Sequence, residues 1–209
     1  MQLSIQLNNI GKKYVNEWIF KNVSLSILPS QKLVVLGSNG SGKSTLLQTI
    51  ASFLIPSKGE LSWKNGQEKI DDEEIYKHLS MASPYMELIE DFTLTESIAH
   101  QKKFKPFLNN FSTKEIIEIM QLQHASEKYL KNYSSGMRQR VKLGLAVLAD
   151  CPVLLLDEPC TNLDAKSIEW YQKLIKQYAL QKTVVVCSNT VKEEYAFCDT
   201  IFEIEKYKI

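Results

Sequence analysis

Gly37-Ser38-Asn39-Gly40-Ser41-Gly42-Lys43-Ser44 fills the pattern G-x-x-x-x-G-K-[ST] at every fixed position. Before it stands Lys32-Leu33-Val34-Val35-Leu36, a continuous apolar run that suits a central parallel strand covered on both faces. After it, Ser44-Thr45-Leu46-Leu47-Gln48-Thr49-Ile50 reads as a helix. The stretch predicts a strand, a glycine-rich turn and a helix in direct succession. In that arrangement the glycines let backbone N–H groups approach phosphate oxygens closely, and the helix N-terminus adds unpaired donors and partial positive charge. Lys43 is placed to reach the β- and γ-phosphates of a nucleotide and the Ser44 hydroxyl to ligate Mg²⁺, with Gly37 through Thr45 lining the phosphates.

Working outward, the second half of such a site needs a carboxylate for the metal and a group to orient the attacking water. Val153-Leu154-Leu155-Leu156-Asp157-Glu158 supplies both at a strand end. Asp157 is the candidate for Mg²⁺ and Glu158 the candidate general base. Thr183-Val184-Val185-Val186-Cys187 is another buried-strand run, separated from the first by a helix near Ala165–Tyr178. Strands alternating with helices predict a parallel α/β sheet. Upstream, Leu3-Ser4-Ile5-Gln6-Leu7 and Val23-Ser24-Leu25-Ser26-Ile27 alternate with period two, as half-exposed antiparallel strands do. Pro29-Ser30 marks a turn, and Pro56-Ser57-Lys58-Gly59 another that leads to a short strand near Leu61-Ser62-Trp63. Thr93 to Ala149 is helical in pattern, with Ile116, Ile117, Met120 and Leu122 on one apolar face and Met137, Val141, Leu145 and Leu148 on another.

Composition narrows the classes. The chain has 209 residues, 44% hydrophobic and 23% charged, with a net charge of +1. That length buries a core without disulfides, and the near-neutral charge gives no reason to expect a nucleic-acid partner. No stretch approaches the ~20 apolar residues of a membrane span. Met1-Gln2-Leu3-Ser4-Ile5-Gln6 lacks the basic start and apolar run of a signal peptide. Cys151, Cys160, Cys187 and Cys198 form no Cys-x-x-Cys pair, so a reducing cytosol fits and no zinc site is expected. Arg138 and Arg140 are the only arginines; every other basic residue is lysine.

A third motif distinguishes among phosphate-loop families. Tyr133-Ser134-Ser135-Gly136-Met137-Arg138-Gln139-Arg140 resembles the LSGGQ-type signature of ABC transporter ATPases. Thr161-Asn162-Leu163-Asp164, after Glu158, looks like that family's D-loop. Tyr14, 29 residues before Lys43, stands where the family places an adenine-stacking aromatic. The resemblance covers nearly all of the chain. It implies an α/β P-loop NTPase fold with a mainly parallel central sheet, an N-terminal antiparallel β portion and an inserted helical subdomain. A single cassette over residues 1–209 follows, with an α/β core at 1–84 and 150–209 and a helical lobe at about 85–149. The resemblance also implies ATP and Mg²⁺ as ligands. A second copy, or a related cassette, presents Ser134, Ser135 and Gly136 to the γ-phosphate, so that ATP closes a head-to-tail dimer, and Asp164 of the D-loop counts among the nucleotide-binding residues. Ser134 or Ser135 serves equally as a helix N-cap.

Three departures accompany the resemblance. Pro84 occupies the place of the family's Q-loop glutamine, in Leu79-Ser80-Met81-Ala82-Ser83-Pro84-Tyr85. Asn189 occupies the place of the switch histidine; it can hydrogen-bond a γ-phosphate but cannot carry positive charge. Ser135 and Met137 replace a glycine and a glutamine of the signature. These changes point to slow hydrolysis by a chain that retains Lys43, Ser44, Asp157 and Glu158. The expectation is an ATPase subunit on the cytoplasmic face of a membrane, held there by an integral membrane partner. Pro84–Asp91 and the helical lobe are the expected docking surface. The alternatives are a regulatory nucleotide-binding module with little turnover, or a soluble relative acting outside transport. Arg138 and Arg140 are expected on the polar side of their helix, either solvated or facing the nucleotide edge or a partner.

Overall fold

The computed structural model describes residues 2–208; Met1, read above as part of the alternating N-terminal stretch, and Ile209 lie outside them. Two sheets form the frame. The first is antiparallel, ordered β2-β1-β4-β5, from β1 (Leu3–Tyr14), β2 (Glu17–Ile27), β4 (Lys58–Asn65) and β5 (Glu68–Lys69). The second is wholly parallel, ordered β6-β7-β8-β3-β9, from β3 (Lys32–Leu36), β6 (Leu79–Ala82), β7 (Val153–Asp157), β8 (Thr183–Ser188) and β9 (Thr200–Glu203). The α/β reading holds, with α1 (Lys43–Ile50) between the sheets and α5 (Ala165–Tyr178) on the opposite face.

The continuous apolar runs are explained by two cores. Leu33, Val35, Val153, Leu155, Val185 and Cys187 point into the core shared with α1 and the antiparallel sheet. Val34, Leu154, Leu156, Val184 and Val186 point the other way, into the core shared with the helices. Successive strand side chains face opposite sides, so a strand covered on both must be apolar throughout.

The antiparallel sheet keeps the alternation only in part. Leu3, Ile5 and Leu7 are buried, and then the phase shifts: the next buried positions are Ile10 and Gly11. The pairing of β1 with β2 slips between Leu7 and Ile10, where Asn9 adopts φ 51°. A bulge there lets both strands run well past the stretches expected of them. The strand near Leu61–Trp63 also starts earlier, at Lys58. Gly59 has φ +84°, and a Cβ on it would come 2.4 Å from the Asn8 and Asn9 carbonyl oxygens, so only glycine passes the bulge.

Between β6 and β7 lie α2 (Leu94–Lys102), α3 (Thr113–Met120) and α4 (Ser135–Leu148). Thr93 with Glu96, and Ser112 with Glu115, close reciprocal capping boxes that start α2 and α3. Ile116, Ile117, Met120 and Leu122 are all buried in the helical core, as are Val141, Leu145 and Leu148 of α4, while Met137 packs at its edge. The short helix α6 (Lys192–Tyr195) follows β8. All four cysteines are free thiols, three of them buried.

Candidate functional site

The phosphate loop leaves β3 and closes on Gly42, the N-cap of α1, at φ 96°. A Cβ at Gly42 would sit 2.6 Å from Ile19 Cγ2, so glycine is required by both backbone and space. Lys43 follows, its side chain 4% exposed, and its ammonium donates to the Gly37 carbonyl (2.9 Å) and the Ser38 carbonyl (3.0 Å). The same nitrogen lies 3.9 Å from Glu158 Oε1. A cavity of about 470 Å³ opens on this group, lined by Asn39, Gly40, Gly42, Lys43, Ser44, Thr45, Glu158, Ile19 and Tyr85.

The carboxylate pair is split by burial. Glu158 reaches the cavity from a backbone at φ 44°, its N–H held by the Cys187 carbonyl at 2.9 Å. Left-handed backbone at a non-glycine residue is strained and is retained where surrounding contacts enforce it. Asp157, one residue earlier, is 1% exposed. Its Oδ2 accepts from the Ser83 hydroxyl at 3.3 Å, and its Oδ1 has no hydrogen-bond partner among the described residues. Burial pushes the Asp157 carboxyl above its ordinary range, with the hydroxyls of Ser44 and Ser83 pulling back. An orphaned, buried carboxylate oxygen beside a serine hydroxyl is a donor set that fits a hard cation taking oxygen ligands. Among the described residues no group of three or more His, Cys, Asp or Glu is arranged to hold a metal, so the fit is to Ser44 and Asp157 with ligands supplied from elsewhere.

Asn189 joins this group from the end of β8, its Nδ2 donating to Asn39 Oδ1 at 2.9 Å. Tyr14 does not line the cavity. It lies half-exposed near the β1–β2 turn, with the Lys12 ammonium 5.4 Å from its ring centre. Ser134, Ser135 and Gly136 also stand apart from the cavity, at the start of α4. Ser134 is the N-cap, accepting from the Met137 N–H at 3.2 Å. Asp164 caps α5, accepting from the Ser167 N–H at 2.8 Å, and Ser167 holds its carboxyl below the usual range.

The two arginines part company, contrary to the expectation of a common polar side. Arg140 donates from Nη2 to the Met120 carbonyl at 2.7 Å and lies 4.7 Å from the Trp170 ring centre. It braces α3, α4 and α5 from a partly exposed position. Arg138 stays nearer solvent, 3.9 Å from Glu90.

Three contacts were beyond sequence reasoning. Tyr85, next to Pro84, lines the cavity, while its neighbours Met86, Leu88 and Ile89 face a separate apolar groove of about 360 Å³ with Phe53, Phe92, Phe104 and Leu145. The adjacent Pro84, which stands where the resemblance expects a glutamine, did not signal where Tyr85 points. Ser83 holds Asp157 from the same segment. Glu205, in the turn after β9, accepts from the Ser38 N–H at 2.8 Å, with no motif to announce it.

Comparison with known proteins gives the family and the fold. The family model for the ABC transporter matches residues 20–161. The sulfate/thiosulfate import ATP-binding protein of Synechocystis sp. is 30% identical over 99% of the chain, which spans 59% of that protein's length. The chain spans about three-fifths of the length of several curated relatives. The dimeric structure of a bacterial ABC transporter cassette superposes with a TM-score of 0.80 at 25% identity, covering 96% of this chain and 95% of that one. A dimeric post-hydrolysis cassette bound to ADP and Pi gives 0.78 at 26% identity, over 95% and 93%.

Proposed function

The chain belongs to the ABC transporter family, and from that premise we propose that it binds and hydrolyses ATP as the energy-supplying subunit of a membrane transporter. The observation that carries the reading is the meeting of Lys43, Ser44 and Glu158 in one cavity, next to a buried Asp157 with a free oxygen. Ser44 and Asp157 would hold Mg²⁺, which when bound supplies positive charge against the phosphate oxygens.

The remaining steps belong to the chain. Lys43, now satisfied by two loop carbonyls, has a third donor for the β- and γ-phosphates. Glu158, on the cavity wall, accepts a proton from the attacking water. Asn189 orients a γ-phosphate oxygen with its amide but adds no charge. Ser134, Ser135 and Gly136, which do not line the cavity of their own chain, complete the site of a second copy or related cassette with the donors of their helix N-terminus. Asp164 holds the adjoining loop at that junction, and Tyr14 closes over the base.

No helix among the described residues is long and apolar enough to cross a membrane. We place the chain on the cytoplasmic face, held by an integral membrane subunit seated in the groove of Met86, Leu88, Ile89 and Phe104. A regulatory module with little turnover is the second reading, favoured by Asn189 and Pro84. The deciding assay is ATP hydrolysis with Mg²⁺ by the purified chain and by Lys43→Ala. Turnover lost in the variant supports the ATPase reading; a wild-type chain that binds ATP but fails single-turnover hydrolysis supports the regulatory one. Co-purification with an integral membrane protein supports the transporter assignment, and recovery only as a free chain counts against it.

A further inference from the structure

Beside the nucleotide cavity, one peptide group is gripped from both ends by buried side chains. The Pro159 carbonyl accepts from Gln139 Nε2 at 2.9 Å, and the N–H of Cys160, the other half of the same planar unit, donates to Glu194 Oε1 at 3.0 Å. Gln139 is 4% exposed and Glu194 2%. Burying a carboxylate is costly, and among the described residues no lysine or arginine bridges Glu194. Burial raises its pKa, with the Ser188 hydroxyl and Cys160 N–H acting against that, and its Oε2 has no partner. A group kept in so unfavourable a place is held there by what it does for the backbone.

The gripped peptide adjoins the candidate base. Glu158 has its own N–H fixed by the Cys187 carbonyl and its carbonyl accepting from the Thr161 N–H at 3.1 Å. Its strained φ of 44° therefore lies in a tight turn whose far side is the Pro159–Cys160 plane. Gln139 comes from α4, one turn beyond Ser135 and Gly136, and Glu194 from α6, beyond Asn189. The Tyr171 hydroxyl of α5 secures Glu194 in turn, donating to its carbonyl at 2.8 Å.

We propose that Gln139 and Glu194 are paired positioning residues that fix the Pro159–Cys160 peptide plane and thereby aim Glu158 at the attacking water. The inference rests on the ATPase reading. The pair links the helix that carries Ser134–Gly136 to the base, so a partner closing on that helix acts on the same peptide.

The test compares turnover with ATP affinity in the full chain, affinity being read with a fluorescent ATP analogue. Glu194→Asp keeps the carboxyl group but is one methylene short of the Cys160 N–H; Gln139→Leu removes the donor to Pro159. Each is expected to lower kcat about tenfold, as small misplacements of reacting groups do, with nucleotide affinity unchanged. Glu194→Gln retains an acceptor oxygen and keeps turnover near wild type. Because both residues hold one peptide, the double variant falls no further than the worse single one. Wild-type kcat in both single variants overturns the inference, as does an equal loss of affinity or a fully multiplicative double variant. If Glu194→Asp does not fold, Gln139→Leu decides. A wild-type chain without turnover overturns the ATPase reading and this inference together; wild-type turnover with unaffected variants overturns this one alone.

Discussion

Asn189 Nδ2 donates to Asn39 Oδ1 across 2.9 Å, tying the end of β8 to the phosphate loop through two neutral amides. A charged imidazolium at the same place would set a cation beside the γ-phosphate, whereas the amide contributes one neutral donor. Asn189→His is therefore expected to raise kcat for ATP by roughly tenfold, a conservative share of what a preorganised donor supplies. The gain belongs to the protonated ring, so it fades as pH rises past the imidazole pKa. A steady-state pH series checks it, and an unchanged or lower rate defeats the idea.

The proposed role of Glu158 as base rests on position: it lines the cavity while Asp157 is enclosed. Glu158→Gln preserves shape and a hydrogen-bond acceptor but cannot take a proton. Turnover is expected to fall by about 10²–10³-fold, within the range of general-base catalysis. ATP binding stays, so the variant is expected to accumulate as an ATP-dependent dimer, read by size-exclusion chromatography with and without nucleotide.

The motifs proposed to bind phosphate could be read from the sequence because that chemistry needs fixed residue types at fixed spacing. Lys32–Leu36, Lys43–Ile50 and Ala165–Tyr178 also emerged nearly at their observed limits, because apolar runs and helical faces report burial directly. The reach of β1 did not, because the bulge at Asn9 shifts the alternation by one residue and hides the second half of the strand. Arg140 was misplaced for a related reason. Helical spacing put it on the polar face, and only the tertiary approach of Trp170 turns that face inward. Glu194 stood in a Lys-Glu-Glu run that reads as solvated, and its burial depends on the folding of Cys160 against it.

Arg140 should matter to stability rather than chemistry. Arg140→Ala removes the contact with the Trp170 ring and leaves the Met120 carbonyl without its donor. The two together are worth ~2 kcal/mol, which corresponds to about 4–8 °C in melting temperature for a chain of this size. Arg140→Lys should recover less than half of that, because an ammonium cannot stack and fork at once. Urea unfolding of the three proteins measures the series, and nucleotide affinity should be the same in all.

Asp157, the proposed metal ligand, is expected to do the opposite and lower stability in the nucleotide-free protein. Burial raises its carboxyl pKa in the folded chain above the unfolded value. The folded state then holds the proton more tightly, so this group favours folding at low pH, and that contribution is lost as pH rises through the folded pKa. Above the unfolded pKa the raised folded pKa is a cost to the nucleotide-free protein, in keeping with a buried carboxyl that has one oxygen without a partner among the described residues. Asp157→Asn removes the charge and is expected to raise the melting temperature at pH 7 without nucleotide, with the difference from wild type shrinking as pH falls. Hydrolysis should drop by at least about 10²-fold, since metal-borne charge on the phosphates is worth several kcal/mol. Mg²⁺ with ATP should stabilise the wild type markedly and the variant much less, because only the wild type retains the anionic oxygen that awaits a cation. Equal stabilisation of both by Mg²⁺ and ATP would place the metal elsewhere.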